Sequence, residues 1–259
     1  MPPGHDEEAG VNERATDLEA IERSAVYGWP ALETARIDGW LARASSGGSV
    51  RANSVSALDY TGRNLADSIA EVAAYYRARG AVPRFTITDV SQPEGLDAAL
   101  EAEGWRRHGA HVTFAKDVAT EPIAPVLSVV RHAEPTPAWY RVYLEGLTGD
   151  RRAVAPRLVE DVPTPRAFFS FVRDGEVIGS ALTVLDGRLA SVQCMATFPA
   201  ARRTGAASAL LAAIEAHAQA HGALRLYLQT DLANTAAMRL YERTGFTIAG
   251  HYHTREVIR

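Results

Sequence analysis

Twice along this chain a helical run stops at a glycine, and the same punctuation follows each stop. Ile69, Val72, Ala73 and Tyr76 form one apolar stripe that ends at Gly80; Leu210, Leu211, Ile214 and Ala218 form another that ends at Gly222. Nine residues after each glycine stands an aspartate preceded by threonine, Asp89 and Asp231. A second glycine follows 24 and 23 residues after the first, Gly104 and Gly245, each succeeded by an aromatic, Trp105 and Phe246, and a strand-like run. The matched order and lengths predict two related α/β halves in tandem. The chain has 259 residues with 47% hydrophobic and 22% charged side chains, enough apolar material to bury a core in each half.

The rest of the pattern supports this division. Residues 1–16 read as a polar, disordered tail, and Asp17 is the expected N-cap of a helix to Val26. Strands are expected over 36–43 and 50–58, joined by Ser45-Ser46-Gly47-Gly48. A helix over 65–79, a strand over 83–88, a short helix over 95–103 and a strand over 106–116 complete the first half, 17–118. Glu121-Pro122-Ile123-Ala124-Pro125 lies in a linker, 119–125. The second half, 126–259, has a strand over 126–131, a helix over 137–147, and no clear pattern over 150–166. Asp174-Gly175 and Asp186-Gly187 then mark hairpins, because both positions tolerate positive φ. A long helix over 205–221, a strand over 224–229, a helix over 234–244 and a strand over 246–257 close the chain.

Charge and cysteine content exclude several classes. The 27 basic and 31 acidic side chains give a net charge of −4, which argues against a nucleic-acid partner. Cys194 is the only cysteine, so no internal disulfide can form, and a reducing cytoplasmic setting is expected. No apolar run approaches the ~20 residues that span a bilayer, so no membrane partner is expected. His217 and His221 share a helix face but lack a third ligand, so no metal is expected.

The stretch with chemical content is Phe198-Pro199-Ala200-Ala201-Arg202-Arg203-Thr204-Gly205-Ala206-Ala207-Ser208. A strand ends, proline turns the chain, and a helix begins in small side chains. Small residues there leave consecutive backbone N–H groups open at the positive end of the helix dipole, a site for an anion such as a pyrophosphate. Two arginines at a helix start are unfavourable for the dipole unless an anion joins them.

With these residues the sequence resembles the GCN5-related N-acetyltransferase family. The family loop Arg/Gln-x-x-Gly-x-Gly/Ala is matched by Arg202, Gly205 and Ala207. Its second signature is matched by Asn234, Ala236, Ala237, Leu240, Tyr241, Glu242, Gly245 and Phe246. The resemblance covers residues 126–257 and departs at Ala201, often aromatic in the family, and Ala206, usually branched. It implies an α/β fold with a mixed sheet and two acyl-CoA N-acyltransferase halves in tandem. It also implies acetyl-CoA as co-substrate and a primary amine of a small molecule as acceptor. The pantetheine arm would pair with Met195, Ala196 and Thr197, and the pyrophosphate would rest on Arg203, Thr204, Gly205, Ala206 and Ala207 beside Arg202. Asn234 would line the arm, and Tyr241 would sit near the thioester sulfur.

The residue types suit acyl transfer. An ammonium near pKa 10.4 must lose its proton before it can attack. A backbone N–H at Met195 or Ala196 would meet the oxyanion, and Tyr241 would protonate the departing thiolate. Glu160, Asp161, Glu176 and Asp231 are the acidic candidates for the base; Asp231 is preferred, with a water-mediated route beside it. Gln193 stands where some relatives carry glutamate and cannot act as a base. Cys194 reads as a small core residue. In the first half Leu100 stands at the place of Tyr241 and residues 59–64 lack the small-residue loop, so a single cofactor site is expected. A non-catalytic acyl-CoA-binding regulator and an acetyltransferase acting on a protein amine are the competing readings. Both a monomer and a homodimer are compatible with the sequence.

Overall fold

The computed structural model describes residues 5–257, with side chains from Asp17 onward. Helix α1 (His5–Gly28) leads into a hairpin, β1 (Glu33–Ile37) and β2 (Trp40–Ala44). Then come β3 (Val55–Ser56), α2 (Leu65–Arg77), β4 (Arg84–Thr88), α3 (Leu96–Ala102) and β5 (Arg106–Asp117). The second half contains β6 (Val129–His132), α4 (Pro137–Glu145), α5 (Gly149–Glu160), β7 (Arg166–Arg173) and β8 (Glu176–Asp186). It ends with β9 (Leu189–Ser191), β10 (Gln193–Thr197), α6 (Ala206–Ala220), β11 (Arg225–Asp231), α7 (Thr235–Arg243) and β12 (Thr247–Glu256).

Four local readings change. Of the strand expected over 50–58, Val50–Asn53 is a short 3-10 turn capped by Ser49 and only Val55–Ser56 is strand. The tail expected over 1–16 is helical from His5 within α1, and residues 1–4 lie outside the described residues. The stretch carries three Glu and two Ala between His5 and Thr16, which favour helix. The strand expected over 36–43 is a hairpin folded at Asp38-Gly39, where both residues take positive φ, 45° and 91°. The uncertain stretch after Asp150 is α5, which carries Pro156 in its interior.

All strands join one mixed sheet in the order β1-β2-β3-β4-β12-β5-β11-β9-β8-β7-β6, with β10 paired to β8. The last strand of each half lies within the other half. β12 runs antiparallel to both β4 and β5, with Tyr252 opposite Thr88 on one side and His111 on the other. β5 in turn runs antiparallel to β11, from Arg225 opposite Asp117 to Asp231 opposite His111. Val112 and Phe114 of β5 are fully buried in the core that α6 and α7 cover, with Leu210, Leu226 and Phe246. Arg255 of β12 reciprocates by ion-pairing with Asp97 of α3 at 2.7 Å. That pairing, with a hydrogen bond to His253, holds the Asp97 carboxyl down at about 2.

Helix α1 crosses the sheet on the opposite face from α6. Leu18 approaches Gly250 of β12, Ile21 and Ala25 pack on Ala115 and Tyr227, and Gly28 reaches Gln193 of β10. Helices α4 and α5 share this face, where Trp139, Leu158 and Val159 pack with Trp29, Phe168 and Leu182.

Candidate active site

The sheet splits between β9–β10 and β11. Residues 189–191 run parallel to 225–227, and the last bond across is Val192 N–H to the Tyr227 carbonyl at 2.8 Å. Beyond it β10 pairs only with β8 and β11 only with β5, so the two strands diverge. The cause is a bulge between Gln193 and Ala196, where Cys194 takes φ 52°. A bulge adds a residue to one strand and bends it away from its neighbour. A non-glycine residue held at positive φ costs roughly 1–2 kcal/mol, strain that concentrates at functional sites. The edge of β10 that faces β11 is thereby left with unpaired backbone groups. The Cys194 thiol is pushed up to about 12 by burial, so it stays protonated and is no nucleophile at neutral pH.

After β10 the chain turns through Pro199 and enters α6. The amides of Arg203, Thr204, Gly205, Ala206, Ala207 and Ser208 donate to no carbonyl among the described residues. Gly205 caps the helix at φ 85° and Arg203 precedes it at φ 60°, which turns successive N–H groups toward one point. Thr204 Oγ1 donates to the Ala201 carbonyl at 2.7 Å and ties the turn. Ala201 and Ala206, the two departures from the family pattern, are both buried beneath the loop. Arg202 and Arg203 are exposed and have no ion-pair partner among the described residues. This is a cradle for a strongly anionic group.

Tyr241 projects from α7 into the core on the α6 face, 7% exposed, against Phe114 and Phe246. Its hydroxyl has no hydrogen-bond partner among the described residues, and burial pushes it up to about 12. Asn234 caps α7, its Oδ1 accepting from the Ala237 amide at 3.2 Å, which leaves its amide nitrogen free to donate to a ligand. Asp231 is exposed at the end of β11 and accepts from the Ala233 amide at 2.7 Å. Glu160 and Asp161 are exposed where α5 ends, and Glu176 is exposed at the start of β8, remote in the sheet from the split. None of the three joins the other site residues.

The family model described as "Probable histone acetyltransferase Rv0428c C-terminal" matches residues 15–257. The Bacillus subtilis N-acetyltransferase YobR is 27% identical over 92% of this chain and 98% of its own length. The Mycobacterium tuberculosis probable histone acetyltransferase Rv0428c is 30% identical over 93% of this chain and 74% of its own length. A GCN5-related N-acetyltransferase from Kribbella flavida superposes with a TM-score of 0.65 at 14% identity, covering 93% of this chain and 96% of that one. A tandem GNAT protein from the clavulanic acid biosynthesis pathway gives 0.64 at 15% identity, covering 92% and 86%. The chain belongs to the Rv0428c C-terminal family. It is a GNAT acetyltransferase.

Within this acetyltransferase the corresponding helix start of the first half is built differently from the cradle. At the start of α2, Asn64 Oδ1 already accepts from the Ala66 amide, and Ser68 Oγ donates to Asp38 at 2.5 Å. Asp67 also lies in that first turn, so negative charge already occupies the dipole end. Leu100 is fully buried at the place of Tyr241.

The α1 face of the split carries two groups that sequence reasoning missed in whole or in part. Glu22 is 5% exposed and accepts from Thr113 Oγ1 at 2.7 Å and from Gln229 Nε2 at 3.0 Å. Burial raises its pKa, against the lowering effect of those hydrogen bonds. Its signal was available: Leu18, Ile21, Glu22 and Ala25 follow helical spacing, so Glu22 interrupts an apolar stripe. Gln193 donates from Nε2 to the Gly28 carbonyl at 3.1 Å and to Ser191 Oγ at 2.9 Å. Its buried Oε1 has no partner among the described residues, an open acceptor at the apex of the split.

Proposed function

We propose that this acetyltransferase moves an acetyl group from acetyl-CoA directly to the primary amine of a small molecule, both bound at once. The observation that carries this reading is the two-sided split. On the α6 face lie the six unbonded amides of 203–208 and the Tyr241 side chain; on the α1 face lie Glu22 and Gln193. Met195 packs with the α6 core and Cys194 with the α4 core, so β10 separates the two approaches.

In this reading the free edge of Met195, Ala196 and Thr197 aligns the pantetheine arm. The loop amides and Arg202 hold the pyrophosphate, and the amide nitrogen of Asn234 lines the arm. Glu22, which lies buried on the α1 face of the split, takes the proton of the incoming ammonium in place of the exposed Asp231, directly or through a water; burial raises its pKa and so strengthens it as a base. The amine nitrogen then bonds to the thioester carbon while an amide of Met195 or Ala196 donates to the oxyanion. The C–S bond breaks, Tyr241, protonated at neutral pH, gives its proton to the departing sulfur, and the second proton lost by the amine nitrogen restores the tyrosine, leaving a neutral amide and CoA thiol. The cytoplasm supplies acetyl-CoA. The narrow space on the α1 face favours a small acceptor over a protein lysine, although a relative is named as a probable histone acetyltransferase.

Release of CoA thiol, followed over a panel of amines, tests the reaction. Tyr241→Phe is expected to lower kcat by about tenfold to a hundredfold while acetyl-CoA affinity stays unchanged, because only the late proton donor is lost. Equal turnover would remove Tyr241 from the chemistry. Glu22→Gln is expected to lower kcat/KM by about 10²–10⁴. A base must be ionised, so in the parent protein kcat/KM falls as pH drops through the raised Glu22 pKa. That acid limb should vanish in Glu22→Gln, and its persistence would assign the proton elsewhere.

A further inference from the structure

Between α1 and the strands of the first half lie two adjoining cavities. The outer one, about 190 Å³ and open to solvent, has Arg23, Arg36 and Asp59 at the surface. The inner one, about 20 Å³ and narrow, is lined by Glu22, Arg43, Arg51, Gln229 and Tyr252. Val26, Ser56 and Leu58 border both, so the two lie side by side. The inner one reaches Gln229, two residues past the Tyr227 carbonyl where β11 leaves the other strand, and so lies on the α1 side of the split.

Its charges do not balance. Arg43 is 4% exposed, yet its one side-chain hydrogen bond goes to the Trp29 carbonyl. Arg51 donates to Gln229 Oε1 at 2.6 Å. Neither guanidinium lies within ion-pair distance of a carboxylate among the described residues. Glu22, the one carboxylate lining the inner cavity, takes its hydrogen bonds from Thr113 and Gln229, both neutral. A buried cation without an anion is costly to keep, and burial lowers the Arg43 pKa to about 10 as a measure of that cost. Arginine pairs with a carboxylate through two parallel hydrogen bonds, which suits recognition in a narrow space.

We propose that these two cavities open onto one another in the acceptor-bound protein as the acceptor subsite, and that the subsite selects a primary amine that also carries a carboxylate. The carboxylate is held by Arg43 and Arg51, and the amine faces Glu22 and Gln229 beside the split. The proposal rests on the acetyl-transfer reading above and names the substrate class of that same site. A simple amine would leave both guanidiniums unpaired and is disfavoured for that reason.

The test is titration calorimetry on the full chain saturated with CoA. β-Alanine and lysine are compared with ethylamine and cadaverine, which lack the carboxylate. The carboxylated members are expected to bind at least about tenfold more tightly, as a charge-assisted pair would give. Arg51→Gln, at a partly exposed position, should erase most of that ratio without lowering Tm. Equal binding of the two series, no binding of either, or an unchanged ratio in Arg51→Gln would overturn the proposal. Tighter binding of phosphoethanolamine than of β-alanine would also overturn it, in favour of a phosphate-bearing amine. Carboxylate preference without acetyl transfer would remove the reaction and keep the subsite. Transfer to amines regardless of carboxylate would do the reverse.

Discussion

Gly205→Glu is expected to weaken both acetyl-CoA and CoA binding by about a hundredfold or more, some 2.7 kcal/mol. Two effects add. Gly205 stands at φ 85°, where any other residue pays about 1–2 kcal/mol. A carboxylate at that point also sits among the unbonded amides of 203–208 and competes with pyrophosphate for them. Gly205→Ala separates the two. A Cβ there meets nothing within 4 Å, so alanine adds strain without bulk or charge and should cost only a few-fold in affinity. Unchanged CoA binding in Gly205→Glu, read by calorimetry, would move the pyrophosphate away from this loop.

The second large effect concerns the two halves. Separating the chain in the linker, as residues 17–118 and 126–259, is expected to leave two pieces that do not unfold cooperatively alone. The second piece would lose β5, and with it Val112 and Phe114 from its core and the antiparallel partner of β11. Truncation of a buried Phe alone costs about 3–5 kcal/mol, a large part of a typical domain's 5–15. The first piece would lose β12 from between β4 and β5, together with the Arg255 partner of Asp97. Produced together, the pieces should associate and recover a single transition. A sharp transition in each isolated piece would show that the exchange of strands is dispensable.

That exchange also marks the limit of what the sequence discloses. Helical stripes, glycine stops and the loop at 198–208 are local, so spacing alone reveals them. The order of strands in the sheet is not local. Residues 106–117 and 247–256 each alternate as a strand should, but alternation does not say which neighbour each will take. The hairpin at Asp38-Gly39 carried the same dipeptide that marked 174–175 and 186–187, and it was hidden by the apolar residues on both sides. Helix α5 was illegible because Pro156 and the three arginines at 151, 152 and 157 obscure any stripe. Within the proposed site, the cofactor side was legible because it is made of backbone amides and one tyrosine in a short motif. The acceptor side was not. Glu22, Arg43, Arg51 and Gln229 come from α1, β2, the turn after it and β11, and only the fold brings them to one cavity. Glu22 showed on its helix as a break in the stripe; nothing near Arg43 or Arg51 pointed to a ligand.

The claim on which the rest depends is that one acetyl-CoA binds per chain, at the split of the second half. Calorimetric titration of the intact protein with acetyl-CoA, and then with CoA, tests it most directly. Binding in the micromolar range with a stoichiometry near one is expected for both, and it should be lost in Gly205→Glu. Two equivalents per chain would mean that the start of α2 also accepts the cofactor despite Asp67 and Ser68. No heat at millimolar ligand would leave an acetyltransferase fold without its co-substrate and would contradict the proposed reaction.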